Sequence, residues 1–230
     1  MQSRVEALLW QSLLMQPTNR LEYLQSGEDR DFDQIFPQSV RGLSVLHWTP
    51  VKIARRAAEF LVTAPGTRVL DIGCGPGKFC IVGALATEGL FKGVEQRVDL
   101  CRVGQAAILK AKITNAEIVQ GNVMDLDFSE FDAFYLFNPF EEHLQTTSPI
   151  DRAIELSESL YEGYTHHVAE QLARAPLGTR VATFYGRCEE IPPGYDRVGN
   201  TGHSALKFWI KQLGGNAQAS HGTPPDSGSN

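Results

Sequence analysis

RVLDIGCGPGKF, residues 68–79, is the stretch that orders the rest of the chain. Val69 and Leu70 read as a buried strand, Asp71 stands at its carboxyl end, and Gly73, Gly75 and Gly77 turn the chain into a helix. Glycine admits positive φ and leaves no Cβ between backbone and ligand. In open α/β sheets ligands bind beyond the carboxyl ends of the strands, near the point where strand order reverses. A dinucleotide loop of the form G-x-G-x-x-G, counted from Gly73, needs a glycine where the chain has Lys78. The phosphate-binding G-x-x-x-x-G-K-[ST] pattern also fails, with Phe79 in place of a hydroxyl residue. The spacing is D-x-G-x-G-x-G, and an ordinary tight turn is the plainer alternative to a ligand loop.

Outward from this loop, strands and helices alternate. A helix over 50–61 precedes it, with Thr49 as N-cap and Pro50 in the first turn. After it the pattern predicts helix 77–88, strand 91–95, helix 97–112, strands 117–120 and 132–137, helix 150–174 and strand 179–185. YDRVGN and ALKFWIKQ, separated by TGHS, break the alternation and read as a hairpin within 194–211 that gives the sheet an antiparallel edge. The expected fold is α/β, with a Rossmann-like, mainly parallel, seven-stranded sheet, helices on both faces and an antiparallel C-terminal hairpin strand.

Three parts follow from composition. Residues 1–48 read as a helical extension or lid with polar loops such as QSGEDRDFDQ, residues 49–212 as the ligand-binding domain, and residues 213–230 as a disordered tail. In MQSRVEALLWQSLLMQP, Val5, Leu8, Leu9 and Leu13 recur at helical spacing, which suits an amphipathic helix better than a secretion signal. No run reaches the roughly 18 apolar residues that a membrane helix needs. The net charge of −6 disfavours a large nucleic-acid footprint, which relies on clustered lysine and arginine. Cys74, Cys80, Cys101 and Cys188 match no zinc spacing and suit reduced thiols in a cytoplasm. Nothing in the chain reads as a metal site or indicates an oligomeric state.

Two further features line up with the glycine loop. FKGVE ends in Glu95, 22 residues beyond Gly73, where a carboxylate can accept hydrogen bonds from both hydroxyls of a ribose. QGNV follows the next strand and contains Asn122 and Val123. Together these resemble the class I methyltransferases that use S-adenosylmethionine, over residues 49–211. The resemblance implies that Asp71, Gly73, Gly75 and Gly77 pack against the amino-acid portion of the cofactor, with Cys74 as filler and backbone donor. It also implies that Glu95 holds the ribose, that Asn122 meets the adenine amino group, and that Val123 offers a backbone N–H and an apolar surface. Asn122 departs from the aspartate frequent in that family, although its amide oxygen still accepts. Thr49, at the head of a helix that often covers the cofactor in relatives, joins the candidate cofactor residues.

FDAFYLFNPF ends the fourth strand with Asn138, Pro139 and Phe140. Asn-Pro is a turn signal by itself, so a purely structural reading stands beside the functional one. Members of the family that methylate planar or amide nitrogens carry [DN]-P-P-[YFW] here, and this chain lacks one proline. The resemblance implies that Asn138 and the Pro139 carbonyl accept from the acceptor and that Phe140 stacks on it, with Asn138 also near the cofactor. An attacking amine gains positive charge, which carbonyl oxygens and an aromatic face favour, the ring by roughly 0.5–2 kcal/mol. The sequence near Asn138 offers no dedicated base. Glu141 and Glu142 can hold a cation or form a solvated surface, while His143, His166 and His167 read as surface residues. GVE with a strand-end asparagine near an aromatic is also similar, more weakly, to the non-SET protein-lysine methyltransferases. The acceptor is expected to be a small molecule or a protein side chain, methylated on nitrogen by in-line transfer. The alternative is a cofactor-binding module for regulation or assembly without transferase activity.

Overall fold

The computed structural model describes residues 27–144, 150–199 and 201–212. The expected helix near the N-terminus and the expected tail over 213–230 lie outside the described residues. Seven strands form one sheet: β1 (Arg68–Ile72), β2 (Leu90–Glu95), β3 (Ala116–Gln120), β4 (Ala133–Phe137), β5 (Arg180–Phe184), β6 (Tyr195–Arg197) and β7 (Leu206–Lys211). Their order is β3-β2-β1-β4-β5-β7-β6. β1 to β5 are parallel, whereas β7 runs antiparallel to both β5 and β6. The antiparallel strand is therefore one place in from the edge, and three-residue β6 forms the border.

Four longer helices cover the sheet: α1 (Val51–Leu61), α2 (Lys78–Ala86), α3 (Val98–Lys110) and α4 (Glu158–Arg174). Strand periodicity divides the interior between two faces. Val69 of β1 and Ala133 and Tyr135 of β4 join one cluster with α1 and α2. Leu70 and Ile72, with Phe134 and Leu136, join the other against Val168 and Leu172 of α4. Lys78–Ala86 shows no polar face because it is sunk in the first cluster, with even Lys78 buried. Among the described residues no helix is long and apolar enough to cross a membrane.

Three local expectations are corrected. Helix α4 begins at Glu158, with the Ser157 hydroxyl accepting from Leu160 N–H at 3.3 Å, whereas the sequence pattern placed its start at 150. Asp151, ahead of that start, is drawn instead to Arg97 at 2.9 Å. Thr49 is not the cap of α1, because its hydroxyl shares a 2.8 Å hydrogen bond with the Tyr135 hydroxyl. Asp29, remote in sequence, accepts from Val51 N–H at 2.8 Å and does the capping. The stretch read as a polar loop folds into one-turn helices, Asp29–Phe32 and Asp33–Ile35, that bury Phe32, Asp33 and Ile35.

Candidate active site

The site forms where β1 lies between β2 and β4, so that the chain leaves neighbouring strands in opposite directions across the sheet. Gly73, Gly75 and Gly77 have φ values of 69°, 55° and 74°, a region that L side chains seldom adopt. The N–H groups of Gly73 and Cys74 both donate to the Val94 carbonyl at 3.0 Å, which ties the loop to β2. Cys74 N–H is thus committed to the fold. A Cβ on Gly73 would lie 2.8 Å from Pro139 Cβ, so this glycine also makes room for the turn after β4. Gly77 is constrained differently, by Ile118 packed where its side chain would be.

Glu95 is 6% exposed, and its two oxygens accept from Gly75 N–H at 3.0 Å and Arg97 N–H at 2.9 Å. Burial raises its pKa, while those hydrogen bonds and the Arg97 charge act in the opposite direction. Arg97 is buried as well and bridges the site, reaching Glu142 at 2.8 Å and Asp151 at 2.9 Å. On the other side of the loop, buried Lys78 pairs with Asp29 at 2.6 Å and Asp33 at 2.7 Å, and donates to Ser44 Oγ at 3.1 Å. The segment ahead of α1 is therefore fastened directly to the first residue of the helix that follows the glycines.

These elements enclose a cavity of about 380 Å³, within the usual range for small-molecule sites. Of the candidate residues, Gly73, Glu95, Val123, Asn138, Pro139 and Phe140 line it. A recess of about 20 Å³ beside it is lined by Thr49, Asp71 and Cys74, and His47, Gly73 and Phe137 border both spaces. Asp71 is fully enclosed there, and burial pushes its pKa up to about 8, against the hydrogen bond from Cys80 Sγ at 3.5 Å. Asn122 is not brought into either space. Its amide oxygen accepts from Met124 N–H at 3.0 Å and its nitrogen donates to the Tyr164 hydroxyl at 3.0 Å.

The turn after β4 is strained. Asn138 has φ 29°, and its Cβ is 3.1 Å from where a side chain on Gly186 would begin. Among the described residues no hydrogen bond engages the Asn138 side-chain amide or the Pro139 carbonyl. Phe140 turns into the second core cluster, stacked on Tyr164 with centroids 5.2 Å apart, and presents only a wall to the cavity. Glu141 and Glu142 are not a solvated surface, since their side chains are 16% and 15% exposed and pair with Arg187 and Arg97. The surface reading also fails for His143, which is buried, lines the cavity and accepts from Ser157 N–H at 3.3 Å. Exposed His166 pairs with Glu170 on α4.

Sequence reasoning missed His47, Arg97 and the structural weight of Lys78. His47 follows no motif and reaches the site only because distant Asp29, Asp33 and Lys78 fold its segment inward. A detectable signal existed for Lys78, the sole charged residue in the otherwise apolar helix KFCIVGALA.

Residues 63–162 match a sequence family described as a methyltransferase domain. Over that stretch the chain carries a methyltransferase domain. The methyltransferase domain is 29% identical over 102 residues to demethylmenaquinone methyltransferase of Listeria monocytogenes, a match covering 43% of each chain. It is 35% identical over 92 residues to a protein-lysine N-methyltransferase of Saccharolobus islandicus, covering 39% of this chain and 56% of that one. The chain thus spans less than half the length of the Listeria relatives it matches. An RNA methyltransferase from Salinibacter ruber, solved with S-adenosylhomocysteine, has the same fold at 20% identity and TM-score 0.52, covering 71% of this chain and 93% of its own.

The residues present fit the cofactor of this methyltransferase family. Glu95 faces the cavity with an oxygen-rich edge held in place by two N–H donors, suited to a diol. Val123 supplies apolar surface, and Asp71 with Gly73 provides carboxyl oxygens and an open backbone for an ammonium group.

Proposed function

We propose that the protein transfers a methyl group from S-adenosylmethionine to a nitrogen of its acceptor, with Asn138 and Pro139 holding that nitrogen. One observation carries this reading: two oxygen acceptors, uncommitted among the described residues, stand together on a strained turn in the cavity wall, beside the glycine loop. Strain of this kind costs about 1–3 kcal/mol per residue and gathers at functional sites. The sulfonium supplies an already activated methyl carbon, so the chain's own work is alignment and stabilisation of positive charge. The Asn138 amide oxygen and the Pro139 carbonyl accept from the acceptor N–H and favour the cation that forms. Phe140 acts here as a wall rather than a stacking partner, because Tyr164 occupies one of its faces. The Saccharolobus relative, named for transfer to protein lysine nitrogen, lends support to a nitrogen acceptor, whether on a small molecule or on a protein side chain.

The test is Asn138→Ala. S-adenosylhomocysteine affinity, measured by calorimetry, is expected to stay within a few-fold of wild type. Transfer of labelled methyl from the cofactor into cell-extract fractions is expected to fall about 100-fold or more, the scale of losing a preorganised acceptor at a reacting centre. Equal labelling by the variant removes Asn138 from the reaction. Binding without any labelling by the wild type would favour the other reading, a cofactor-binding module for regulation or assembly.

A further inference from the structure

Nitrogen methylation needs a lone pair, and an aliphatic amine with a pKa near 10 carries a proton at neutral pH. That proton has to leave before the nitrogen can attack, and a base inside the site would take it there. His47 is placed for this. It borders both the large cavity and the small recess, sharing that position with Gly73 and Phe137, and so stands at the junction between the two spaces. Its imidazole forms no hydrogen bond to any described residue, unlike His143, whose Nδ1 is taken by Ser157 N–H. It is also held rather than loose. The one-turn helix Ser44–His47 is tied through Ser44 Oγ to Lys78 Nζ at 3.1 Å, and Trp48 beside it packs on Phe36 with centroids 5.0 Å apart.

We propose that His47 is the catalytic base of the transfer and that the acceptor is an aliphatic amine entering as its ammonium form. This rests on the nitrogen-methylation reading above. An ammonium N–H bond breaks, its proton passes to an imidazole nitrogen of His47, and the freed lone pair forms the new N–C bond. The C–S bond breaks with its electron pair left on sulfur, so the sulfonium charge ends on the methylated nitrogen. The imidazolium then gives its proton to water. The surroundings favour a histidine that is neutral before reaction. Burial lowers the His47 pKa and Arg97 lowers it further, with Glu142 opposing. The other ionisable groups facing the two spaces are Glu95 at the end of β2, Glu141 and His143 after β4, Asp71 on β1, Cys74 in the glycine loop, Tyr135 on β4 and Lys78 on α2.

The test needs no identified acceptor. Sinefungin carries an amine-bearing carbon where S-adenosylmethionine has its methyl sulfonium, and it shares its adenosine and amino-acid parts with S-adenosylhomocysteine. The ratio of the two affinities, measured by calorimetry from pH 5.5 to 8, therefore cancels titrations that act on the shared parts. In the wild type this ratio should move about tenfold toward sinefungin as pH rises and His47 becomes able to accept from the ammonium. In His47→Asn, checked for an unchanged melting temperature, the ratio should be flat with pH. A wild-type pH dependence that survives in the variant, or a variant that weakens both ligands equally, overturns the assignment. Failure of both ligands to bind the wild type overturns the cofactor reading, and the assignment with it.

Discussion

Lys78→Met tests whether a buried ion cluster fastens the segment ahead of α1 to the helix that follows the glycines. Methionine keeps most of the stem and deletes the ammonium, leaving Asp33 with a side chain 7% exposed and its charge uncompensated. At the observed 2.7 Å and an effective dielectric of about 20, the attraction is roughly 6 kcal/mol before desolvation. Desolvation of both ions offsets much of that. The cost of removing one partner is instead set by the charge left behind, about 3–5 kcal/mol. Asp29, with a side chain 44% exposed, is screened by water and adds little. Urea unfolding should therefore show a loss of about 3–5 kcal/mol for Lys78→Met. In Lys78→Met/Asp33→Asn neither buried charge of this pair remains, and the loss should shrink to about 1–2 kcal/mol. Trypsin should cut faster after Arg30 and Arg41 in the single variant. A loss below about 1 kcal/mol, or no recovery in the double variant, would refute the argument that a buried ion cluster fastens this segment.

Glu95→Ala should weaken S-adenosylhomocysteine binding by about 1.5–3 kcal/mol in calorimetry, the scale of lost charge-assisted hydrogen bonds, and unchanged affinity would place the ribose elsewhere. Gly73→Ala faces both φ 69° and the Pro139 ring, so a stability loss of roughly 2–4 kcal/mol is expected on denaturation. For Asp71 the folded pKa near 8 lies above the unfolded 3.8, so the folded state keeps a proton that the unfolded chain releases between those values. Its contribution to stability is fully present below pH 3.8 and is lost as pH rises toward 8. Asp71→Asn should therefore gain in melting temperature relative to wild type between pH 5 and 8, and a constant difference would mean that Asp71 is already ionised.

The fold was legible because its evidence is local and periodic. Strand β1 reads from five residues, and the alternation of Val69 and Asp71 with Leu70 and Ile72 across two cores follows from the pleat alone. Where neighbours in space displaced neighbours in sequence, the reading failed. Thr49 has every local mark of a cap, yet Tyr135 takes its hydroxyl and Asp29 takes its task. Residues 150–157 resemble the start of a helix, but Asp151 is pulled to Arg97 and the helix waits for Ser157. Neither Arg97 nor Asp29 is close enough in the chain for pattern reading to weigh it.

At the site the same division explains the fate of the shortened Asn-Pro-Phe turn. A second proline would stiffen the chain between Asn138 and the aromatic ring, and its absence put the geometry of both in question. The structure separates the two. Phe140, with no proline before it beyond Pro139, swings into the core against Tyr164 and gives up the stacking position. Asn138 is held by other means, wedged between Pro139, which fills the space left by Gly73, and Gly186, which has no Cβ to push it away. Asparagine is also among the few residues that tolerate left-handed backbone. Two glycines, one in the loop after β1 and one beyond β5, thus leave the room that this turn occupies. The loss of that proline goes with a ring turned into the core, while Asn138 and Pro139 stay in the cavity wall with side-chain amide and carbonyl uncommitted among the described residues.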